Sequence, residues 1–103
     1  MIINKNKIFK NFESKYGALT FGQMINSLRV ADEFSQIDLA KKMKISRAML
    51  CDIEKGRRVV SLKTAKKFAK VLGYSEEQFV TQVLQDMARS VGYNAEIQLK
   101  SVA

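Results

Sequence analysis

The chain has 103 residues, 47% hydrophobic and 27% charged, enough for one compact domain and too little for two. With no histidine and a single cysteine, Cys51, it has no Ser-His or Cys-His nucleophile, disulfide or cysteine-held zinc, so no catalytic residue, metal or cofactor is expected. The net charge of +8 is segregated: +3 in residues 1–28, +7 in residues 29–70 and −2 in residues 71–103, the pattern of a polyanion on one surface and protein on another.

The absence of proline and the presence of only five glycines favour helices joined by short turns. Residues 1–19 mix Asn and Lys with Ile2, Ile3, Ile8, Phe9, Phe12 and Tyr16, and read as an N-terminal arm with a possible short helix through Ile8, Phe12 and Tyr16. Thr20 then caps a first helix whose stripe is Phe21, Met24, Ile25, Leu28 and Ala31. Ser35 opens a helix of about two turns with Ile37, Leu39, Ala40 and Met43 on its apolar side. Lys44 and Ile45 make a tight turn, and Ser46 caps a third helix with Leu50 and Ile53 inward and Gly56 as its stop. Ser61 caps a fourth, with Leu62, Ala65, Phe68, Ala69 and Leu72 inward and Gly73 ending it. A fifth begins at Ser75 with Glu76 and Glu77 in its first turn, carries Phe79, Val80, Val83, Leu84 and Met87 as its stripe, and closes at Gly92. After it, Ala95, Ile97 and Leu99 alternate with Glu96, Gln98 and Lys100, which predicts a strand from Asn94 to Ser101 that needs a partner strand from another chain. No run approaches the roughly 20 apolar residues of a membrane span, and no signal peptide opens the chain, so a cytoplasmic location is expected.

Two short helices joined by a tight turn, the second capped by serine and presenting small and polar side chains outward, form a helix-turn-helix unit. From about Leu28 to Phe79 the sequence resembles the Cro/repressor-type (XRE) helix-turn-helix family, through "LR", "SQIDLAKKMKIS", "LCDIEKGRR" and "SLKTAKKFAKVLGYS" in order and at the family's spacings. The resemblance implies an all-α bundle of four or five helices, here with the short C-terminal β-strand added. It divides the chain into the arm (1–19), a DNA-binding domain (20–75) and a C-terminal helix and strand (76–103) for dimerisation or partner binding.

It also implies roles. Arg47, Ala48 and Asp52, with Cys51 beside them, match base-reading positions: Arg47 toward guanine O6 and N7, Ala48 toward a thymine methyl, Asp52 toward cytosine N4 or orienting Arg47. Gln36 matches a phosphate-touching glutamine, and Ser46, Lys55, Arg57 and Arg58 would serve the backbone with it. Met49 replaces the usual small polar residue and is expected against sugar or the turn, and Val60 stands where the family commonly has proline. Arg29 and Glu54 match a charge pair joining the first and third helices. Lys63, Lys66, Lys67 and Lys70 read as the wet face of the fourth helix.

The expected function is sequence-specific, dimeric repression at a palindromic operator of double-stranded DNA, with Phe79, Val83, Met87, Ile97 and Leu99 at the homodimer interface. A domain of this size with no ligand-binding part points to regulation through protein, as in antitoxins of toxin-antitoxin operons, with a toxin as the further partner. The alternatives are a phage-type repressor, a restriction-modification controller, or an interaction module that has lost DNA binding.

Overall fold

The computed structural model describes residues 19–93 and 96–100. Within them are five helices: α1 (Phe21–Ala31), α2 (Gln36–Met43), α3 (Arg47–Glu54), α4 (Leu62–Leu72) and α5 (Glu76–Ser90). The possible helix through Ile8, Phe12 and Tyr16 lies outside the described residues.

Each helix starts at the hydroxyl residue the sequence marks. Thr20 and Gln23 form a reciprocal capping box, the Gln23 N–H donating to Thr20 Oγ1 at 3.2 Å and the Thr20 N–H to Gln23 Oε1 at 3.0 Å. Ser35, Ser46, Ser61 and Ser75 cap the other four in the same N-cap sense.

The inward stripes meet in one core built from Phe21, Met24, Ile25, Leu28, Leu39, Met43, Leu50, Ile53, Phe68, Leu72, Phe79 and Val83 among others. Phe21 stands edge-on to both Phe68 and Phe79, with centroids 5.9 and 6.0 Å apart, so α1, α4 and α5 share an aromatic joint. Helix α5 therefore belongs to the same core as the four helices before it. Leu62, expected inward, is exposed at the first position of α4.

Two expectations at the C-terminal end are corrected. Residues 96–100 form no strand: among the described residues there is no strand to pair with, and an unpaired strand leaves its backbone groups to water. The segment instead runs past α5, where Glu96, Ile97, Gln98 and Leu99 share a hollow with Glu77, Gln78, Thr81 and Gln85. Phe79 and Val83 are only 1% and 3% exposed within this one chain, so they hold the core and have no surface to offer a second copy. Their stripe points inward because α5 packs on α1 and α4; Met87, two turns beyond Phe79, is exposed.

Candidate nucleic-acid interface

The α2–α3 unit is shaped by its turn. Lys44 adopts the left-handed conformation (φ 57°) that stops α2, and the Ile45 N–H returns to the Ala40 carbonyl at 3.0 Å. Ile45 packs against the core, and the Met49 N–H donates to Ser46 Oγ at 3.0 Å to start α3. With Leu50 and Ile53 turned inward, Arg47 and Ala48 are exposed and Cys51 and Asp52 half-buried. Met49 is also half-buried and packs on the core rather than standing free for a sugar, because it sits one turn before Ile53 beside the inward face.

Helix α3 ends in a six-residue turn at Gly56 (φ 75°). The Gly56 N–H donates to the Ile53 carbonyl at 3.1 Å, and the Arg57 N–H to the Asp52 carbonyl at 2.8 Å. The turn brings Arg57, not Arg47, to Asp52: Arg57 Nη1 lies 3.7 Å from Asp52 Oδ1. Lys55, Arg57 and Arg58 are all exposed.

Behind this surface Glu54 is almost wholly buried and serves as a hub. Arg29 Nε lies 2.9 Å from its Oε2 and Arg29 Nη2 3.1 Å from Oε1, while Asn26 Nδ2 donates at 2.8 Å and Gln36 Nε2 at 3.2 Å. Burial alone would raise the Glu54 pKa. The hydrogen bonds from Arg29, Asn26 and Gln36 and the charge of Arg29 outweigh it and hold the carboxyl below its usual value. Arg29 Nη1 also donates to the Phe34 carbonyl at 2.9 Å, so one guanidinium ties α1, the turn after it and α3 together. Gln36 is thus engaged inside the molecule through one amide N–H, at the first turn of α2 where the resemblance places a phosphate contact.

The four lysines of α4 are not all equivalent. Lys67 Nζ donates to the Met43 carbonyl at 2.6 Å and closes the end of α2, while Lys66 and Lys70 lie 4.0 and 3.7 Å from the Glu76 carboxylate.

Three features escaped the sequence reading. Gly22 sits where α1 crosses α3: a Cβ there would overlap the Ile53 carbonyl oxygen and stand 2.8 Å from that of Glu54. Gln82, 3% exposed, donates to the Leu19 carbonyl at 2.7 Å, and Asp86 accepts from the Phe21 N–H at 2.6 Å, fastening the start of α1 to α5. Val59, 83% exposed, flanks with Met87 a hollow of about 430 Å³ floored by Phe21, Gly22 and Val83. The only signals for these were a glycine inside a helical stripe, a glutamine on an apolar face and two valines in a basic loop.

Among the described residues no group of three His, Cys, Asp or Glu could hold a metal ion, and no helix is long and apolar enough to cross a membrane. Cys51 is a free, half-buried thiol.

A helix-turn-helix family model matches residues 25–79. The chain is 32% identical over 77 residues to the immunity repressor protein of Bacillus phage phi105, a match that covers 75% of this chain and 54% of the relative. The chain thus spans about half the length of the curated relative it matches. No solved structure matches it significantly.

Proposed function

Because the chain belongs to the Cro/repressor-type (XRE) helix-turn-helix family, we propose that it is a sequence-specific DNA-binding repressor of transcription acting as a homodimer. The observation that carries this reading is the division of α3: Leu50, Ile53 and Glu54 are buried, while Arg47 and Ala48 are exposed and Lys55, Arg57 and Arg58 follow exposed in the adjoining turn. Such a helix enters a major groove with Arg47 bidentate to guanine and Ala48 against a thymine methyl. Ser46 and the α2 N-terminus with Gln36 face the phosphates, joined by Lys55 and Arg58. Cys51 lies beside the readers on the same helix.

Two copies would place two such helices about 34 Å apart on a palindromic site. Residues 20–75 supply the DNA surface, and residues 76–103, joined by Val59, the pairing surface. Met87 and Val59 at their hollow are the apolar contacts, with Ile97 and Leu99 beside the other flank of α5.

Likeness to a phage immunity repressor favours a phage-type role over that of an antitoxin paired with a toxin or of a restriction-modification controller. Neighbouring genes separate these roles: a lysogeny cluster supports the first, a toxin gene the second and a methyltransferase gene the third. The direct test is a fluorescence-anisotropy titration with the DNA upstream of the chain's own gene against a scrambled duplex, at two salt concentrations. Binding that is steeply salt-dependent and roughly a thousandfold tighter to its own DNA supports the repressor reading. Equal, weak binding to both overturns it in favour of a protein-interaction module.

A further inference from the structure

The resemblance makes Arg57 a phosphate contact and Asp52 a reader in its own right or a support for Arg47, and the structure joins Arg57 to Asp52 instead. The junction is set by backbone geometry. In the turn that ends α3, the residue after the left-handed Gly56 sends its N–H to the carbonyl five residues earlier, and this brings those two side chains together. At that place such turns usually hold an apolar contact; here they hold a carboxylate and a guanidinium, both solvent-accessible.

Charge then separates the two roles open to Arg57. A lysine or arginine that grips phosphate acts through its net charge and the counterions it displaces. A carboxylate beside it cancels that charge, and a carboxylate standing on a DNA-facing surface is itself repelled by phosphate. Arg58, the next residue, and Lys55 carry no such partner among the ion pairs of the described residues. What pairing leaves intact is the planar fork: at 3.7 Å the contact is longer than a hydrogen bond, so Asp52 draws the guanidinium toward α3 by charge and leaves its N–H groups free. A charge-cancelled guanidinium with its fork free suits guanine O6 and N7 better than it suits a phosphate.

We propose that Arg57 reads a guanine, with Asp52 as the positioning residue that aims it. This rests on the DNA-binding reading above. Asp52, against which Arg57 folds back, stands five residues after Arg47, about 7.5 Å along α3, so the base pair read by Arg57 lies about two steps from that read by Arg47.

The test uses the full chain and a pool of duplexes with a randomised centre, sequenced after selection, followed by titration of the selected duplex and its single-base variants at several salt concentrations. Arg57→Lys keeps the charge and removes the fork. It should leave the salt slope unchanged and flatten preference at one base pair per half-site by about 5- to 150-fold. Asp52→Asn should flatten the same base pair and steepen the salt slope, because Arg57 then acts as an uncancelled charge. Arg57→Lys that binds every variant as the native chain does, with Arg57→Ala lowering the salt slope by about 0.9 per protomer, makes Arg57 a phosphate grip and overturns the proposal. Loss of preference in Arg57→Lys without any effect of Asp52→Asn removes the positioning role. A native chain that selects no sequence from the pool sinks the repressor reading itself, whereas selection altered by Arg47→Ala and not by Arg57→Lys sinks only the role of Arg57.

Discussion

Glu54 receives hydrogen bonds from three side chains on α1 and α2 while sitting at the end of α3, so its charge state sets how well these helices stay in register. Its folded-state pKa is depressed, so the stabilisation is present above the ordinary carboxylate value of 4.5 and is lost as pH falls through the lower folded value. In Glu54→Gln the half-buried Arg29 loses its counter-charge, at a cost of about 3 kcal/mol near neutral pH. Urea midpoints should therefore drop for the variant near pH 7 and converge toward the native chain's in acid; curves that stay parallel would remove Glu54 from the acid response. Weaker DNA binding by this variant near neutral pH would report a displaced α3, not a lost contact. Arg47 is the opposite case: its side chain is exposed, so Arg47→Ala should leave the unfolding midpoint unchanged and relax preference at one base pair per half-site by roughly 1 to 3 kcal/mol. An unaltered preference profile would take Arg47 out of the reading role.

All five helices stop at a residue with positive φ: Glu33, Lys44, Gly56, Gly73 and Gly92. In each case the next residue sends its N–H back to the carbonyl five before it, as Phe34 does to Arg29 at 3.0 Å. The three glycine stops are legible in the sequence because glycine adopts this conformation without strain. Lys44 is legible only as part of the tight turn it makes with Ile45, and Glu33 is not legible, since a side chain at such a stop costs about 1 kcal/mol and is tolerated because the residues that follow, Phe34 and Ile45, pack on the core. Glu33→Gly should accordingly raise stability by about 0.5 to 1 kcal/mol in chemical denaturation, and a lowered midpoint would mean that the glutamate side chain contributes more than its strain costs. The serine and threonine caps and most of the inward stripes were readable for the same kind of reason, each acting within a few residues of itself, although Ala31, Ile37, Leu62 and Met87, placed on the stripes by periodicity, are exposed. What was not readable depends on distant elements. The Ile97–Leu99 alternation fits a strand but has none to pair with among the described residues, and Gly22 looks like a weak point in α1 until the backbone of α3 is placed against it. Gly22→Ala, ordinarily worth up to about 1 kcal/mol in a helix's favour, should here destabilise the fold and shift α3, read as a lower melting temperature together with weakened binding to every duplex.

At the scale of the whole molecule, charge limits how two copies can meet. Residues 29–70 carry +7 and residues 71–103 carry −2, so two chains approach with least repulsion through α5 and what lies beside it. Beside α5, Val59 and Met87 project next to a hollow with an apolar floor and with Arg58, Asp86 and Arg89 also in its lining, and a surface holding both a knob and a hollow can pair with its own copy about a two-fold axis. The hollow also includes Gly56, the residue that ends α3, so a copy seated there would sit close to the recognition helix and fix the spacing between the two. A charge placed in this contact should separate the copies without touching the core. Met87→Glu is expected to keep its helical signal and melting behaviour, to sediment as a monomer, and to lose the gain from simultaneous engagement of two half-sites, about a hundredfold or more in affinity for a full operator. Its affinity for a single half-site should be unchanged. Truncation after Gly92 is the companion experiment, since it removes Ile97 and Leu99 and spares Met87. A dimer that survives Met87→Glu and falls apart on truncation would move the interface to the segment beyond α5, and with it the geometry that sets the half-site spacing.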